Sequence, residues 1–268
     1  MIFTKMQGCG NDYIYVDCFK EKVDDPASLA VRLSDRHYGI GSDGLILIEP
    51  SDKADAYMHM FNTDGSEGSM CGNGIRCVTK YIYDHGLIPS DRRHAVIDTL
   101  SGTKDISFEV QRGKVSSVTV DMGIPCLTGP CGETVTISGE EIVFTGVDTG
   151  NPHAVVFLED DSDPDIEKTG RAMERSERFP DGVNTEFIHI VGRDEVCMRV
   201  WERGSGETLA CGTGATASVY AGIMTGRLDD EVLVHLKGGD LTIRFDRQSG
   251  RCYMSGPAEE VCTGEIRI

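Results

Sequence analysis

Two cysteines, Cys71 and Cys211, each stand directly before a Gly-x-Gly step that opens an apolar-periodic run. Residues 67–77 read EGSMCGNGIRC and residues 207–217 read ETLACGTGATA. Thiolate is the reactive form of cysteine, and a helix start lowers a thiol pKa from its usual ~8.5. The first turn of a helix leaves backbone N–H groups unpaired, and with the helix dipole they suit a carboxylate. Glycine lets a ligand approach that backbone closely. Two such starts facing one cleft would hold a carboxylate between two positive ends, with a thiol on each face of the adjacent carbon. Inverting a stereocentre that bears an acidic C–H needs a base on one face and an acid on the other. One thiolate and one thiol serve in either direction by exchanging roles. The carboxylate, as it gains enediolate character, meets donors already aimed at it. That chemistry requires no cofactor.

Other readings stand beside it. A buried cysteine is commonly a small hydrophobe. Gly212-x-Gly214-x-x-Ala217 with Asp229 and Asp230 downstream is a lone match to a dinucleotide fingerprint. In that fingerprint the glycines follow their strand directly, whereas ten residues part Trp201 from Gly212. Two facing thiols would also suit a redox switch through a Cys71–Cys211 disulfide. None of the ten cysteines sits in C-x-x-C, and the Cys71/Cys77 and Cys126/Cys131 pairs have the wrong spacing for a zinc knuckle.

The chain has 268 residues and a net charge of −18, with 44 acidic against 26 basic residues. Phosphate binding needs a basic face, so no nucleic-acid partner is expected. The start, MIFTKMQGCGNDY, has no apolar core of a signal peptide, and no run approaches the length of a membrane span. A cytoplasmic protein with reduced thiols and no membrane partner is expected.

The elements that must position the cysteines repeat. The offset of 140 that relates Cys71 to Cys211 also pairs Glu67 with Glu207, Asn62 with Glu202, Gly44 with Asn184, and Gly10-Asn11 with Gly150-Asn151. A gapless offset over that span indicates one unit used twice. Strands are expected at 2–6, 13–17, 45–49, 57–61, 96–99, 103–110 and 115–121. In the second half they fall at 141–147, 154–158, 183–190, 195–201, 232–236, 241–245 and 252–255. Residues 7–12 read as a Gly-rich turn with Asn11 inside it. Asp25-Pro26 caps a helix to about residue 36, and 164–177 reads as a charged surface helix. The cysteine motifs open helices over 73–85 and from 211 to about 226. Residues 260–268 are strand-like, have no partner in the first copy, and would close the first unit.

The expected class is α+β: two pseudo-symmetric domains from an internal duplication. Each is a mostly antiparallel sheet wrapped around a central helix, with the active site in the cleft between them. The expected domains are 1–115 plus 258–268, and 116–257.

At CGNGIRC (Cys71), FNTDGSE (Phe61), GNPH (Gly150), GVNTEF (Gly182) and WERGSGETLACGTGA (Trp201), the sequence resembles the diaminopimelate epimerase family nearly end to end. The wider superfamily includes proline racemase and hydroxyproline epimerase, which typically carry His where this chain has Asn73. The resemblance implies that Cys71 and Cys211 are the two bases that interconvert LL- and meso-diaminopimelate without pyridoxal phosphate, for lysine and peptidoglycan precursors. It implies that Gly72, Asn73, Gly212 and Thr213 hold the α-carboxylate through backbone donors. Arg203, with Asn62, Asn151 and Asn184, would grip the distal carboxylate and amino group. Glu202 would lie near the reacting amino group, Asn11 would line the cleft, and His153 and Glu202 would assist the thiols electrostatically. A homodimer is implied. Some members carry Gln where Gly44 stands here, so Gly44 receives no binding role. Independently of the resemblance, a guanidinium such as that of Arg203 suits a carboxylate bidentately.

Overall fold

The computed structural model describes residues 1–137, 139–158 and 164–267. The chain divides into two compact units, Met1–Val120 with Gly256–Ile268, and Asp121–Ser255.

Unit 1 starts with the strands β1 (Ile2–Gly8) and β2 (Asn11–Asp17), the helix α1 (Pro26–Ser34) and the strands β3 (Gly44–Glu49), β4 (Ala56–Asn62) and β5 (Glu67–Gly68). The helix α2 (Gly72–Asp84) follows, then β6 (His94–Asp98), β7 (Lys104–Gln111) and β8 (Lys114–Gly123), whose end crosses the unit boundary. Neighbouring strands pair antiparallel except β2 with β3 and β4 with β6. Parallel neighbours need a long crossover, usually a helix. Those two pairs are where α1 and α2 sit. Asp25 caps α1 by accepting from the Ser28 N–H, with Pro26 at the first helical position.

The strand β3 shows why both helices find a surface. Leu45 and Leu47 pack with Leu29, Ala30 and Leu33 of α1. Ile46, between them, points the other way, toward Gly74 of α2, where an added Cβ would meet its Cδ1 at 2.7 Å. A strand covered on both faces reads as a continuous apolar run, as 45–48 does. Eleven of the thirteen residues of α2 are buried, so it is a central helix and not a surface one.

Unit 2 runs through β9 (Cys126–Leu127), β10 (Glu133–Ile137), β11 (Glu140–Asp148), β12 (Pro152–Phe157), α3 (Ile166–Glu174), β13 (Asn184–Gly192), β14 (Glu195–Glu202) and β15 (Gly206–Glu207). It continues with α4 (Gly212–Met224), β16 (Glu231–Leu236), β17 (Gly239–Asp246) and β18 (Arg251–Gly256). Among the described residues the parallel pairs include β12 with β13 and β14 with β16, bridged by α3 and α4. Both helices begin and end 140 positions after α1 and α2. The central helix α4 packs against β11, β12, β13 and β17.

Three details differ from expectation. Residues 164–177 were expected as a charged surface helix; α3 is shorter and buries Ile166, Gly170 and Met173. Gly170 lies so close to Trp201 that a Cβ would sit 2.3 Å from the indole's own Cβ. The turn at 7–12 is tighter than expected. Cys9 and Gly10 alone form it, with φ of 54° and 80°, the paired left-handed residues of a two-residue hairpin. Asn11 is therefore a strand residue paired with Gly8, not a turn residue. The strands β5, β9, β10 and β15 are absent from the expected order, and β10 pairs with β11.

The strand β19 (Glu259–Glu265) pairs antiparallel with β1. Its counterpart in unit 2 is β10, which lies ahead of β11 in the chain. The strand expected over 260–268 thus ends at Glu265, and residue 268 lies outside the described residues.

Candidate active site at two cysteine-capped helices

Cys71 is the N-cap of α2, with extended backbone at φ −133° and ψ 119°. Its Sγ accepts from the Gly74 N–H at 3.3 Å, and its carbonyl accepts from Ile75. The N–H groups of Gly72 and Asn73 belong to the open part of that first turn. The Cys71 thiol donates to Asn11 Oδ1 at 3.3 Å, and Asn73 Nδ2 donates to the same oxygen at 3.4 Å. Asn11 is oriented by Asp43, whose Oδ2 accepts from Asn11 Nδ2 at 2.8 Å. The amide oxygen of Asn11 is thereby turned toward the sulfur. Asn73 Oδ1 is buried without a hydrogen-bond partner. Tyr13 completes the surroundings; burial, then the Cys71 and Asp43 charges, push its phenol well above the ordinary value. Arg76 is wholly buried under this turn, donating to Gly72 O, Pro257 O and Cys9 Sγ, which ties the helix start to the β1–β2 turn. Asn62, at the end of β4, donates to Ser66 Oγ at 2.9 Å within its own turn.

Cys211 is the N-cap of α4 at φ −132° and ψ 109°, within 10° of Cys71 on both angles. Its Sγ lies 3.4 Å from Thr213 Oγ1, and its carbonyl accepts from Ala215 at 2.9 Å. A Cβ on Gly212 would meet Met254 Sδ at 2.7 Å, so the turn accepts no larger residue without repacking. Glu202 accepts from Thr208 Oγ1. Asn184 is buried, and its Oδ1 accepts the Arg203 N–H at 2.8 Å. The exposed Arg203 guanidinium donates to Asp181 O at 2.8 Å. His153 is buried, with Nδ1 2.7 Å from Glu186 Oε1 and Nε2 3.1 Å from Asn151 Oδ1. Thr149 Oγ1 donates to Asn151 Oδ1.

Electrostatics at Cys211 run against the expectation that a helix start lowers both thiols. Burial pushes its pKa well above the ordinary thiol value, and the charges of Glu202 and Glu186 add to that. The donors at Thr213 and Gly214 pull the other way and do not prevail. Glu202 is raised as well, first by burial, then by Glu186, with Thr208, Cys211 and His153 opposing. The structural thiols Cys18, Cys77 and Cys252 are each raised to about 12 by burial. None of the ten cysteines is in a disulfide.

Within unit 1, Asn11, Gly72 and Asn73 thus gather at Cys71, and Asn62 ends the strand before its motif. Within unit 2, Glu202, Gly212 and Thr213 gather at Cys211, His153 joins Asn151 to Glu186, and Asn184 holds the Arg203 N–H while the guanidinium turns to Asp181. Sequence reasoning missed Glu186, and one signal pointed to it. The offset of 140 aligns this acid with Ile46, an apolar residue in a buried strand. A cavity of about 410 Å³ in unit 2, lined by His189, Cys197, Arg199, His235 and Lys237 among others, contains none of the residues singled out from the sequence.

Solved structures share this fold end to end. A phenazine biosynthesis protein of the PhzF family from Bacillus anthracis superposes with a TM-score of 0.76 at 17% identity, covering 100% of this chain and 99% of that one. A hydroxyproline epimerase from Agrobacterium vitis gives 0.71 at 17%, covering 98% and 91%. At such identities the likeness establishes the architecture alone: the α+β fold common to these proteins. Sequence goes further. The diaminopimelate epimerase family model matches residues 3–128 and 145–261. The chain is 50% identical to the diaminopimelate epimerase of Agathobacter rectalis, covering 100% of both. It is 47% identical to that of Acetivibrio thermocellus, covering 100% of this chain and 99% of that one. The chain belongs to the diaminopimelate epimerase family.

Proposed function

We propose that the chain is an isomerase that interconverts LL- and meso-2,6-diaminopimelate without a cofactor. It serves lysine and peptidoglycan precursor synthesis in the cytoplasm as a homodimer. Membership of the family supports the substrate, and one observation carries the mechanism. Two cysteines cap two thirteen-residue helices with nearly the same backbone angles, each leaving first-turn N–H groups open. The reading requires both helix starts to act on one substrate carbon.

In that reaction the N–H groups of Gly72, Asn73, Gly212 and Thr213 hold the α-carboxylate. One thiolate takes the α-proton, so the Cα–H bond breaks and an S–H bond forms. Its electron pair spreads into the carboxylate, where the helix donors stabilise it. The opposite thiol then delivers its proton to the other face, a new Cα–H bond forms, and the roles are exchanged for the return direction. The raised pKa of Cys211 suits it to rest as the thiol, the acid of the pair. Glu202 and His153 assist the thiols, and Asn11 holds the Cys71 sulfur in place. Arg203, Asn62, Asn151 and Asn184 bind the distal amino-acid end, where a guanidinium matches a carboxylate. Buried acceptors without partners, Asn73 Oδ1 and Glu186 Oε2, lie beside the two helix starts, and such groups call for a reason. A substrate's ammonium groups fit the first of them.

The test is proton exchange in deuterated water under reducing conditions, with LL-diaminopimelate and separately with L-proline, followed by NMR. Loss of the α-proton and growth of the meso form with the first substrate alone are expected. Exchange with proline alone would overturn the substrate; exchange with neither would overturn the reaction.

A further inference from the structure

Glu186 sits on β13 with its side chain wholly enclosed, and the His153 side chain beside it is equally enclosed, both at 0% exposure. Its Oε1 lies 2.7 Å from His153 Nδ1. Its Oε2 has no hydrogen-bond partner. A Cβ built on Gly214 would come within 2.5 Å of Oε1 and 3.2 Å of the Cδ and Cγ behind it. The carboxylate is therefore wedged between the imidazole on β12 and the first turn of α4. It also bears on the Cys211 thiol and on Glu202, raising both.

Packing alone gives no reason for an acid at this point. Ile46 occupies the aligned position in unit 1, against Gly74 of α2, in the same strand of the same fold. A buried carboxylate is costly unless it is paired and hydrogen-bonded, and removing the partner of such a pair is strongly destabilising. Glu186 has one strong partner, and that partner is His153.

An ionised carboxylate only accepts hydrogen bonds, so the Nδ1 of His153 must donate. The hydrogen bond made by one ring nitrogen sets what the other is able to do. We propose that Glu186 is a positioning residue for His153. It holds the Nδ1–H and fixes the ring plane, so that Nε2 is left facing the side-chain amide of Asn151. This rests on the epimerase reading for its catalytic consequence, but the tautomer itself is a property of unit 2 with or without substrate. Gly214 belongs to the same device: its missing side chain is the space Glu186 uses. The backbone turn that offers donors to the substrate is thereby packed against the acid that aims the histidine.

The test combines proton–nitrogen NMR of isotope-labelled histidine, assigned with a His153→Gln spectrum, with kinetics of Glu186→Ile and Glu186→Gln. The wild-type protein should show a protonated Nδ1 at His153. Glu186→Ile, which installs the residue of unit 1, should lose that fixed tautomer. Its kcat should fall about 10²-fold while KM changes little, since orientation of an acid–base group is worth that order. Glu186→Gln keeps an acceptor for Nδ1 and should recover to within about 10-fold of wild type. A wild-type tautomer and kcat in Glu186→Ile would overturn the proposal, as would a Gln variant no better than Ile. If the Ile variant does not fold, the Gln variant decides alone, because loss of the Nδ1 proton there is equally fatal. A wild-type protein that leaves diaminopimelate unexchanged yet shows the protonated Nδ1 would remove the epimerase reading and spare the Glu186–His153 device.

Discussion

Around Cys71 the neighbours are Asn11, Asn73, Tyr13 and, one step below, Ile46. In unit 2 the aligned positions hold Asn151, Thr213, His153 and Glu186, and Glu202 stands where unit 1 has Asn62. The backbone plan is common, down to the N-cap angles and the glycine three residues after each cysteine. The furnishing is not. One thiol is met by amides and a phenol, the other by a threonine hydroxyl and two acids. A duplicated scaffold fixes where a thiol sits relative to open helix donors, while side chains on β2, β3 and β4, or β12, β13 and β14, set how readily it gives up a proton. The reaction needs one base and one acid at a time, and the two thiols sit among unequal neighbours.

The comparison breaks most directly at the thiols. Cys71→Ala and Cys211→Ala should each lower epimerisation by about 10³-fold while circular dichroism stays native, since acid–base groups contribute on that scale. If either variant keeps full turnover, only one helix start is in use. Next comes Arg203→Ala, which removes the guanidinium from unit 2. It should raise KM for diaminopimelate roughly 10–100-fold with a smaller effect on kcat, because a charged hydrogen bond is worth about 1.5–3 kcal/mol. An unchanged KM would place the distal carboxylate elsewhere.

A smaller effect separates the halves by one identical substitution. Gly214→Ala pushes a methyl group against Glu186, which is held by His153 and has nowhere to go; it should cost about 1–3 kcal/mol in thermal unfolding. Gly74→Ala meets the far end of Ile46, with Cys71 at no less than 3.4 Å, and the better helix propensity of alanine offsets about 0.5–1 kcal/mol of that contact. Equal losses would mean that the acid is no more rigid than the isoleucine. The smallest effect is a stability difference in pH. Burial holds the Glu202 carboxyl above its ordinary 4.5, so folding favours the protonated acid. That contribution is complete below the ordinary value and is lost as pH rises through the raised one. Glu202→Gln should therefore raise Tm near neutral pH by melting curves, with the gain vanishing in acid. A gain that persisted in acid would point to packing, not charge.

Much of this was legible because duplication printed it twice. The offset of 140 relates α2 to α4, and Cys-Gly-x-Gly marks their first turns without help from the fold, so that the expected bounds fall within about two residues of the observed ones. What escaped was of a different physical kind. Cys9 takes a left-handed conformation that propensity assigns to its glycine neighbours, and so Asn11 was expected one step too early, in the turn. The stripe Ile166, Gly170, Met173 at helical spacing was hidden among charges in α3, and only the Trp201 ring shows that Gly170 is a contact. Residues 133–137, ETVTI, alternate as a strand should but are mostly polar. Glu186 escaped because an acid inside a family motif resembles a ligand contact or a surface residue equally well. Its meaning depends on a histidine 33 positions away that the parallel pairing of β12 and β13 brings beside it.

The antiparallel partnership of β19 with β1 has a consequence in time. During synthesis a chain emerges from its N-terminus and domains fold as they are completed. Unit 2 is one unbroken stretch that carries its own edge strand ahead of β11, so all its pairings are available once residue 255 has emerged. Unit 1 is made first but must wait, holding β1 without its outer neighbour, until the strand that follows unit 2 leaves the ribosome. Unit 2 is thus able to finish first, and the half with Cys71 is completed only by a strand made after unit 2.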